Sequence, residues 1–461
     1  MRKVRSFLVA MALSAALVAL PAVAGALPFD DPELVSFSGY DADLAVAPDG
    51  AAVRCVQTGI GTVVVVAVAL IRPGDDGRAG EPIELDANTG ESWPNPTVAL
   101  GPDGTATVLW TVHQGNKIEA AQIATDGAAT PLEPIVLGDG VEASSLQTVA
   151  EPSGAVAVIW QERSQIDFDA PDQVTTVQLG ADGTWGALHD VFDGAGPRQE
   201  TLNPHLLPAS DGGATAVWSQ RDADETEDAR LRAARLSPGG SLGDSHLLEE
   251  HIGDAYGDDI TATGSRVFFA SGQYENKDGH EVKLRMVTID EDARAVGEAE
   301  VVDSVTRPDG GFYDLDSATD EAGLTTVVWA DRQRGGYKHR RGQIGAVRVL
   351  EDGTVDRVGP VSRKDRSRIW DPAVTVAPGG RAEVVWMREK RGDERKLGAA
   401  KLGAGGRVTR RQRFAGDDIQ FEIEDLEAEA DATGRVRISF WTWGHAGPAR
   451  GLEGLISYVS K

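Results

Sequence analysis

The sequence is poor in cysteine, in positive charge and in long apolar runs. Its 461 residues include one cysteine, Cys55, so the chain forms no internal disulfide and its stability must come from a packed core. The 45 Lys and Arg residues are outnumbered by 72 Asp and Glu residues, which gives a net charge of -27. A charge of this sign and size favours solubility and opposes binding to nucleic acid.

The one long apolar run lies at the N-terminus. Three cationic residues precede the apolar segment 7–20, and Pro21 and the small-residue sequence AVAGA follow it. This order is typical of a secretory signal peptide, and the run is too short for a membrane span. We therefore expect residues 1–26 to be a signal peptide, with cleavage after Ala24 or Ala26. Residues 27–461 are then expected to form a single secreted, extracellular domain with no membrane span.

A strand–turn–strand segment recurs along the whole chain. In residues 95–110 (NPTVALGPDGTATVLW), Pro102 presets φ, Asp103 can accept a backbone hydrogen bond, and Gly104 tolerates a positive φ. Equivalent turn glycines follow at intervals of 54, 50, 58, 52, 59, 57 and 54 residues. These glycines are Gly50, Gly104, Gly154, Gly212, Gly264, Gly323, Gly380 and Gly434. Eight near-equal units of this kind indicate a repeat protein.

Each unit predicts four short strands, as in residues 96–100, 105–110, 117–123 and 132–137 of the second unit. In most units the fifth and sixth residues after the turn glycine are both apolar, so both faces of the second strand are covered. A two-sheet sandwich would expose one face. The sixth position holds five tryptophans, which we assign to packing between sheets in preference to aromatic ligand platforms. They are Trp110, Trp160, Trp218, Trp329 and Trp386.

The last unit is one strand short, and residues 33–38 (ELVSFS) before the first unit supply a candidate for the missing strand. Pairing the two ends would remove an open sheet edge. The sequence thus predicts an all-β fold, an eight-bladed β-propeller of four-stranded antiparallel blades, closed by an N-terminal strand that completes the last blade.

The repeat PDG-x-A-x-x-x-W resembles that of secreted bacterial β-propellers with a sialidase-like architecture, whose members are mostly of unassigned function. The resemblance covers the whole mature chain and implies the fold. The sialidase Asp box, S-x-D-x-G-x-T-W, is not intact, because its nearest counterpart, residues 181–185, lacks the spacer between Asp and Gly. No motif corresponds to the arginine triad or the tyrosine–glutamate pair of such enzymes, which argues against sialidase activity.

In a propeller, the loops from second to third strands and from each blade to the next share one end of the sheets, here named the long-loop face. Its second-to-third-strand loops are long, polar and different from one another, as binding loops usually are. They are residues 161–172, 220–229, 273–281, 331–341 and 388–396. The first-to-second-strand and third-to-fourth-strand turns are short and form the opposite, short-turn face.

Nine residues before the turn glycine, most units carry Asp, Asn or Ser at the expected channel mouth. These residues are Asp41, Asn95, Ser145, Asn203, Asp314, Asp371 and Asp425, with Asp258 or Asp259 in the fifth unit. This collar either binds a cation or cationic group, or hydrogen-bonds the backbone where the first strand begins. Nine residues after the glycine stand possible charge partners for the collar. They are Arg163, Arg221, Arg332 and, in the second unit, His113.

Metal and catalytic sites have weaker sequence support. Asp167, Asp169 and Asp172 supply clustered oxygen atoms without the spacing of a calcium loop, and the histidines lack zinc-binding spacing. We expect no cofactor, with calcium as the candidate exception. Carboxylates predicted near the channel provide possible pairs for glycoside hydrolysis. They are Glu119, Glu162, Asp331 and Glu389.

Residues 331–416 differ from the rest of the chain in charge, with 22 Lys and Arg against 10 Asp and Glu, a net of +12. This basic sector, which includes Tyr337 and Trp370, either suits an anionic polysaccharide or is neutralised by the protein's own acidic blades. The sequence thus favours a non-catalytic extracellular binding or scaffold propeller that recognises a carbohydrate or protein partner through the long-loop face. The alternatives are a glycoside hydrolase or lyase with acidic residues in the central funnel, and a structural surface or matrix component.

Overall fold

The computed structural model describes most of the repeat region, and the expected signal peptide lies outside the described residues. The described residues are 33–35, 39–47, 49, 51–60, 63–71, 83–88, 96–112, 116–167, 170, 172–191, 199–209, 211–222, 229–250, 252, 260–271, 281–306, 311–332, 342–363, 368–390, 394–413, 421–433, 436–444 and 455–459.

The described strands form eight antiparallel sheets. The N-terminal strand is β1 (Glu33–Val35), and the first sheet contains β2 (Gly39–Val46), β3 (Ala52–Ile60), β4 (Val63–Ile71) and β5 (Ile83–Asn88). The second contains β6 (Thr97–Leu100), β7 (Ala106–Val112), β8 (Lys117–Ile123) and two short strands that both pair with β8, namely β9 (Ala129–Pro131) and β10 (Ile135–Val136). The third contains β11 (Val141–Ala150), β12 (Val156–Ser164), β13 (Gln173–Leu179) and β14 (His189–Asp190). The fourth contains β15 (Gln199–Pro208), β16 (Ala214–Asp222), β17 (Arg230–Leu236) and β18 (His246–Glu249).

The remaining sheets repeat this plan. The fifth contains β19 (Ile260–Thr263), β20 (Arg266–Ser271), β21 (Val282–Thr288) and β22 (Glu300–Val305). The sixth contains β23 (Tyr313–Thr319), β24 (Thr325–Arg332), β25 (Gly342–Val349) and β26 (Val355–Pro360). The seventh contains β27 (Arg368–Ala377), β28 (Arg381–Lys390), β29 (Glu394–Leu402) and β30 (Val408–Arg413). The eighth contains β31 (Phe421–Ala430), β32 (Val436–Gly444) and β33 (Leu455–Val459), and β1 pairs with β33.

Successive sheets pack against one another through their first strands. Strand β2 contacts β6, β6 contacts β11, and the series continues through β15, β19, β23 and β27 to β31, which also contacts β2. In the first sheet and in the third to seventh sheets the strands follow chain order. Tight turns join the first and second strands of the first seven sheets. A succession of four-stranded antiparallel sheets packed in this way is the architecture of a β-propeller.

The second strand of each sheet lies in the core between neighbouring sheets. All but the last residue of β7 are buried, and Leu109 and Ile159 are completely inaccessible to solvent. The five repeated tryptophans are at most 5% exposed. Trp160 belongs to one core cluster with Ala143 of its own sheet and Leu109 of the second sheet, so the cluster joins two sheets. These tryptophans therefore belong to the scaffold.

Two of the tryptophans pack directly over a glycine of the third strand. Trp329 lies opposite Gly345, and Trp386 lies opposite Gly398. A Cβ atom added to either glycine would lie 2.3 Å from the ring atom Cε2 of the tryptophan. The absence of a side chain at these glycines lets the indole rings lie flat against the sheet.

The fourth strand of the second unit differs from the sequence expectation. Residues 132–137 were predicted to form one strand, whereas the structure has two short strands, β9 and β10, on either side of residues 132–134. Pro131 and Pro134 lack the backbone N–H that a continuous ladder needs, which explains the interruption.

Candidate functional site

The collar position lies at a β-bulge in the first strand of the third, sixth and seventh sheets. Ser145, Asp314 and Asp371 have φ angles of 52°, 50° and 49°, in the left-handed region. In each case the pairing register shifts within the same stretch of strand. Asn, Asp and Ser tolerate this conformation better than most residues because their short polar side chains bond locally. Backbone geometry therefore accounts for the residue types at this position.

The collar aspartates also join neighbouring sheets. Oδ2 of Asp314 accepts a hydrogen bond from the backbone N–H of Asp371 (2.9 Å). Oδ2 of Asp371 in turn accepts one from the backbone N–H of Leu426 in the eighth sheet (3.2 Å). Because one oxygen of each carboxylate is engaged in this way, the structural interpretation of the collar is supported for these two residues.

A second ring of inter-sheet contacts lies two residues further along the first strands. Asp43 accepts a hydrogen bond from the N–H of the second sheet's Val98 (2.8 Å). Asp316 makes the same contact with the N–H of Val374 (2.7 Å). Gln147 accepts a longer one, 3.3 Å, from the next sheet. Sequence reasoning missed this ring, although the aspartates recur at the same distance, seven residues, from their turn glycines.

Burial raises the pKa of Asp316 to about 6, against the opposing effect of hydrogen bonds from the N–H groups of Val374 and Ser317. A carboxylate enclosed by protein loses hydration, which disfavours its charged form. Asp316 therefore takes up a proton more readily than a surface aspartate.

Glu429, on the first strand of the eighth sheet, is the most perturbed carboxyl group near the centre. Desolvation by the surrounding protein, followed by repulsion from Asp316 and Asp43, raises its pKa to about 8. The residue is nonetheless exposed to solvent, so the protein encloses its carboxyl group only in part. The three carboxyl groups belong to the eighth, sixth and first sheets. Glu429 therefore takes up a proton more readily than an ordinary surface glutamate.

His205 occupies the same position in the fourth sheet as Asp43 in the first. Burial lowers its pKa to about 4, so the ring is neutral at pH 7. Its Nε2 atom is buried and has no hydrogen-bond partner among the described residues. The histidine pattern of the sequence did not single out this residue, because its environment depends on neighbouring sheets.

In the third sheet, Arg163 pairs with a loop aspartate. Its guanidinium donates to Asp172, with Nη2 2.8 Å from Oδ2, and Gln161 donates to the same oxygen at 2.7 Å. The Asp172 residue is 7% exposed. This pairing occupies one of the three aspartates considered for calcium. The part of the chain that the structure describes contains no cluster of three or more Asp, Glu, His or Cys side chains arranged to hold a metal ion.

The remaining predicted site residues differ in how much of each one the structure describes. Trp370 is partly buried and packs against the core cluster of the seventh and eighth sheets. Arg221 lies opposite Glu200 at the long-loop end of the fourth sheet. Only the backbone is described for Asp41, Asn203, Arg332 and Asp425. Four predicted residues, Asn95, His113, Asp169 and Tyr337, lie outside the described residues.

The carboxylates predicted near the channel also have partners. Glu162 accepts a hydrogen bond from the indole N–H of Trp160 (2.9 Å), and Glu119 pairs with Lys117 at 2.5 Å. Each of these two carboxylates is thus engaged within its own sheet. The carboxyl groups that do influence one another, those of Glu429, Asp316 and Asp43, come from first strands.

The basic sector folds into the sixth and seventh sheets, which contact each other through β23, β24 and β27. Arg411 donates to the backbone carbonyls of Val361 (2.6 Å) and Pro360 (3.1 Å), and so ties the two sheets together. Other cations remain available for ligands. Exposed arginines whose side chains form no ion pair or hydrogen bond among the described residues are Arg363, Arg381 and Arg407.

Among the described residues there is no helix long and apolar enough to cross a membrane. No protein-family profile and no curated protein matches the chain. Solved structures do match it. The polysaccharide lyase Uly1 is 11% identical, with 92% of this chain and 90% of that chain covered and a TM-score of 0.49.

Two further structures have lower scores. The β-propeller domain of the Trilobed protease from Pyrococcus furiosus is 11% identical, with 84% and 98% coverage and a TM-score of 0.40. The α-L-arabinanase of Penicillium chrysogenum, solved with arabinobiose, is 12% identical, with 66% and 94% coverage and a TM-score of 0.40. At these identities and TM-scores the similarities carry no argument about activity or substrate.

Proposed function

We propose that the chain is an eight-bladed β-propeller closed between its termini, and that it is exported and acts outside the cell. Two contacts support closure: β1 pairs with β33, and β31 packs against β2. The eight turn glycines support the blade count, and the predicted signal peptide supports export. Closure of this kind protects the last blade from presenting an open edge.

This propeller binds an anionic extracellular carbohydrate through its basic sector. The observation that carries the proposal is the folding of residues 331–416, with their net charge of +12, into two adjacent sheets. The exposed Arg363 lies at the long-loop end of these sheets, and Arg381 and Arg407 lie at the other end. A polymer that crosses the rim would contact both ends. Guanidinium groups suit carboxylate and sulfate groups because they donate paired hydrogen bonds.

The test is retention of the full chain on immobilised polygalacturonate and heparin, eluted with a salt gradient. Replacement of Arg363, Arg381 and Arg407 by Gln is expected to lower the eluting salt concentration, because binding to a polyanion depends on these charges. A control variant removes the same charge elsewhere, through Lys117→Gln, Lys283→Gln and Arg294→Gln, all at exposed or half-exposed positions. Equal elution of the two variants, or no retention of the unmodified chain, would refute the proposal.

A carbohydrate-active enzyme is the second candidate, favoured by the raised pKa of Glu429. A carboxyl group whose pKa is raised, and which interacts with a second carboxyl group of lower pKa, that of Asp316, has the properties that general acid catalysis of glycosidic cleavage requires. The assay measures new reducing ends and unsaturated products from the polysaccharide that binds most tightly. Glu429→Gln is expected to abolish turnover and to leave retention on the polysaccharide unchanged. Unchanged turnover in this variant would exclude Glu429 as the acid.

A further inference from the structure

A pocket of about 620 Å³ opens on the short-turn face, where the first turns of the first four sheets converge. Its walls are largely apolar and include Leu70, Ile71, Leu100, Pro102 and Pro208. This volume lies within the range of small-molecule binding sites. The basic sector contributes no residue to it, so the pocket is separate from the polysaccharide surface proposed above.

Three carboxylates line the same pocket. Oδ1 of Asp49 accepts a hydrogen bond from the N–H of Ala51 (2.9 Å), and Oδ1 of Asp103 accepts one from the N–H of Thr105 (2.9 Å). These turn contacts hold both side chains in place at the rim. They leave Oδ2 of Asp49 without a hydrogen-bond partner among the described residues.

The third carboxylate, that of Glu151, lies in the wall and is 1% exposed. It accepts a hydrogen bond from the side-chain amide of Gln178 (2.6 Å). None of the described lining residues is Lys, Arg or His. Burial raises the pKa of Glu151, and Arg235, which is not a lining residue, interacts with it electrostatically, so the negative charge of the pocket lies mainly at the rim, on Asp49 and Asp103.

We propose that this pocket binds a small amphipathic cation, an apolar body that carries one ammonium or guanidinium group. The proline and aliphatic side chains of four converging turns cover the apolar body, and burial of that surface provides most of the affinity. The carboxylates of Asp49 and Asp103 select the positive end at the rim. A charge interaction at an exposed rim contributes only modestly to the binding free energy. Its effect is therefore to discriminate between ligands that have the same shape and differ in charge.

The test uses three probes of matched shape, 4-phenylbutylamine, 4-phenylbutanol and 4-phenylbutanoate, titrated calorimetrically into the full chain at neutral pH. The protonated amine is expected to bind about fivefold more tightly than the alcohol, which corresponds to roughly 1 kcal/mol of charge interaction. The carboxylate is expected to bind most weakly. Equal affinity for amine and alcohol would overturn the assignment of a cation, and no binding by any probe at millimolar concentration would overturn the site.

The double variant Asp49→Asn and Asp103→Asn keeps an oxygen acceptor for each turn hydrogen bond and removes both charges. It is expected to abolish the preference for the amine. The matched control is Asp126→Asn with Asp182→Asn, since these aspartates accept equivalent turn bonds outside the pocket. Loss of the preference in both variants would show a general charge effect and contradict the proposal.

A filling variant tests the location independently. Ala209→Phe adds a ring to the pocket lining and is expected to weaken amine and alcohol alike, by about tenfold or more. Circular dichroism and the melting temperature establish that the variant is folded. Undiminished binding of both probes by folded Ala209→Phe would place them elsewhere and overturn the proposal. If this variant does not fold, the two aspartate variants decide the question.

Discussion

Oδ2 of Asp43 in the first sheet lies 2.8 Å from the backbone nitrogen of Val98 in the second sheet and accepts its hydrogen bond. The same oxygen accepts the hydroxyl of Thr97 at 2.7 Å. One carboxylate oxygen thus satisfies two donors of the neighbouring first strand. Contacts of this kind fix the position of one first strand relative to the next.

Removal of these carboxylates is expected to destabilise the fold. Asp43→Ala and Asp316→Ala each leave an inter-sheet N–H without its partner, at a cost of about 1–3 kcal/mol in the free energy of unfolding. Asp43→Asn and Asp316→Asn retain an acceptor oxygen and should cost less. Chemical denaturation of the four variants measures the difference. Equal losses for Ala and Asn at either position would mean that the hydrogen bond does not carry the effect.

Substitution of Gly345 or Gly398 by Ala is expected to disrupt the packing of the indole ring. The new Cβ would lie 2.3 Å from Cε2 of Trp329 or Trp386, so the ring or the strand must move. Overpacking of this kind typically costs about 1–3 kcal/mol. Gly405→Ala is the control, because a Cβ there meets no atom within 4 Å. Tryptophan fluorescence and the melting temperature report the change, and a stable Gly345→Ala protein with unaltered fluorescence would contradict it.

Glu429→Gln is expected to stabilise the protein at alkaline pH. The folded-state pKa of Glu429, about 8, is above its ordinary value of 4.5, so between these values the folded chain holds a proton that the unfolded chain releases. Stability from this group therefore falls as pH rises through that window. Because the side chain retains solvent contact, we expect a gain of only about 1–2 °C in melting temperature at pH 9 and none at pH 4.

The control for this prediction is Glu321→Gln, which removes a carboxylate from an exposed turn. A gain that is equal at pH 4 and pH 9 would indicate a packing effect instead of proton linkage. A gain of the same size in Glu321→Gln would indicate relief of the overall negative charge.

His205→Gln is expected to reduce the loss of stability on acidification. The folded-state pKa of His205, about 4, is below the ordinary 6.5, so the unfolded chain takes up a proton between these values and the folded chain does not. Stability therefore falls as pH decreases through this window, by at most about 3 kcal/mol. Melting temperatures from pH 7 to pH 4 should decline less steeply in the variant. His189→Gln, on an outer strand, is the control, and parallel curves for His205→Gln and the unmodified protein would exclude the linkage.

The repeat made the strands predictable because its signals are local. The Gly104 turn has a φ of 81° at the predicted glycine, and β8 spans residues 117–123 as expected. Apolar residues on both faces of the second strand indicated sheets covered on both sides, and Leu109 and Trp110 are buried. The prediction of one strand over residues 132–137 was wrong. The missing N–H groups of Pro131 and Pro134 outweigh the strand propensity of the neighbouring residues.

The candidate site was less predictable because its properties arise between sheets. The collar position was recognised from residue types, but the positive φ of Ser145 and the pairing of Asp314 with the Asp371 backbone depend on bulges and on neighbouring strands. The perturbed pKa values of His205 and Glu429 come from surrounding protein that the linear sequence does not reveal. Arg163, a possible partner of the collar by sequence position, pairs with the loop residue Asp172, a contact that the sequence did not indicate.

By itself, the sequence determined the repeat, the turns, the all-β class and the separation of charge along the chain, because these depend on residues close to one another in the polypeptide. Only the tertiary structure decided which carboxylates bond a neighbouring backbone, which ionisable groups lose hydration, and where four Gly-containing turns leave a pocket. Those properties depend on distances between neighbouring sheets. The residues concerned are some 50 positions apart in the sequence, and they come close together only when the sheets pack.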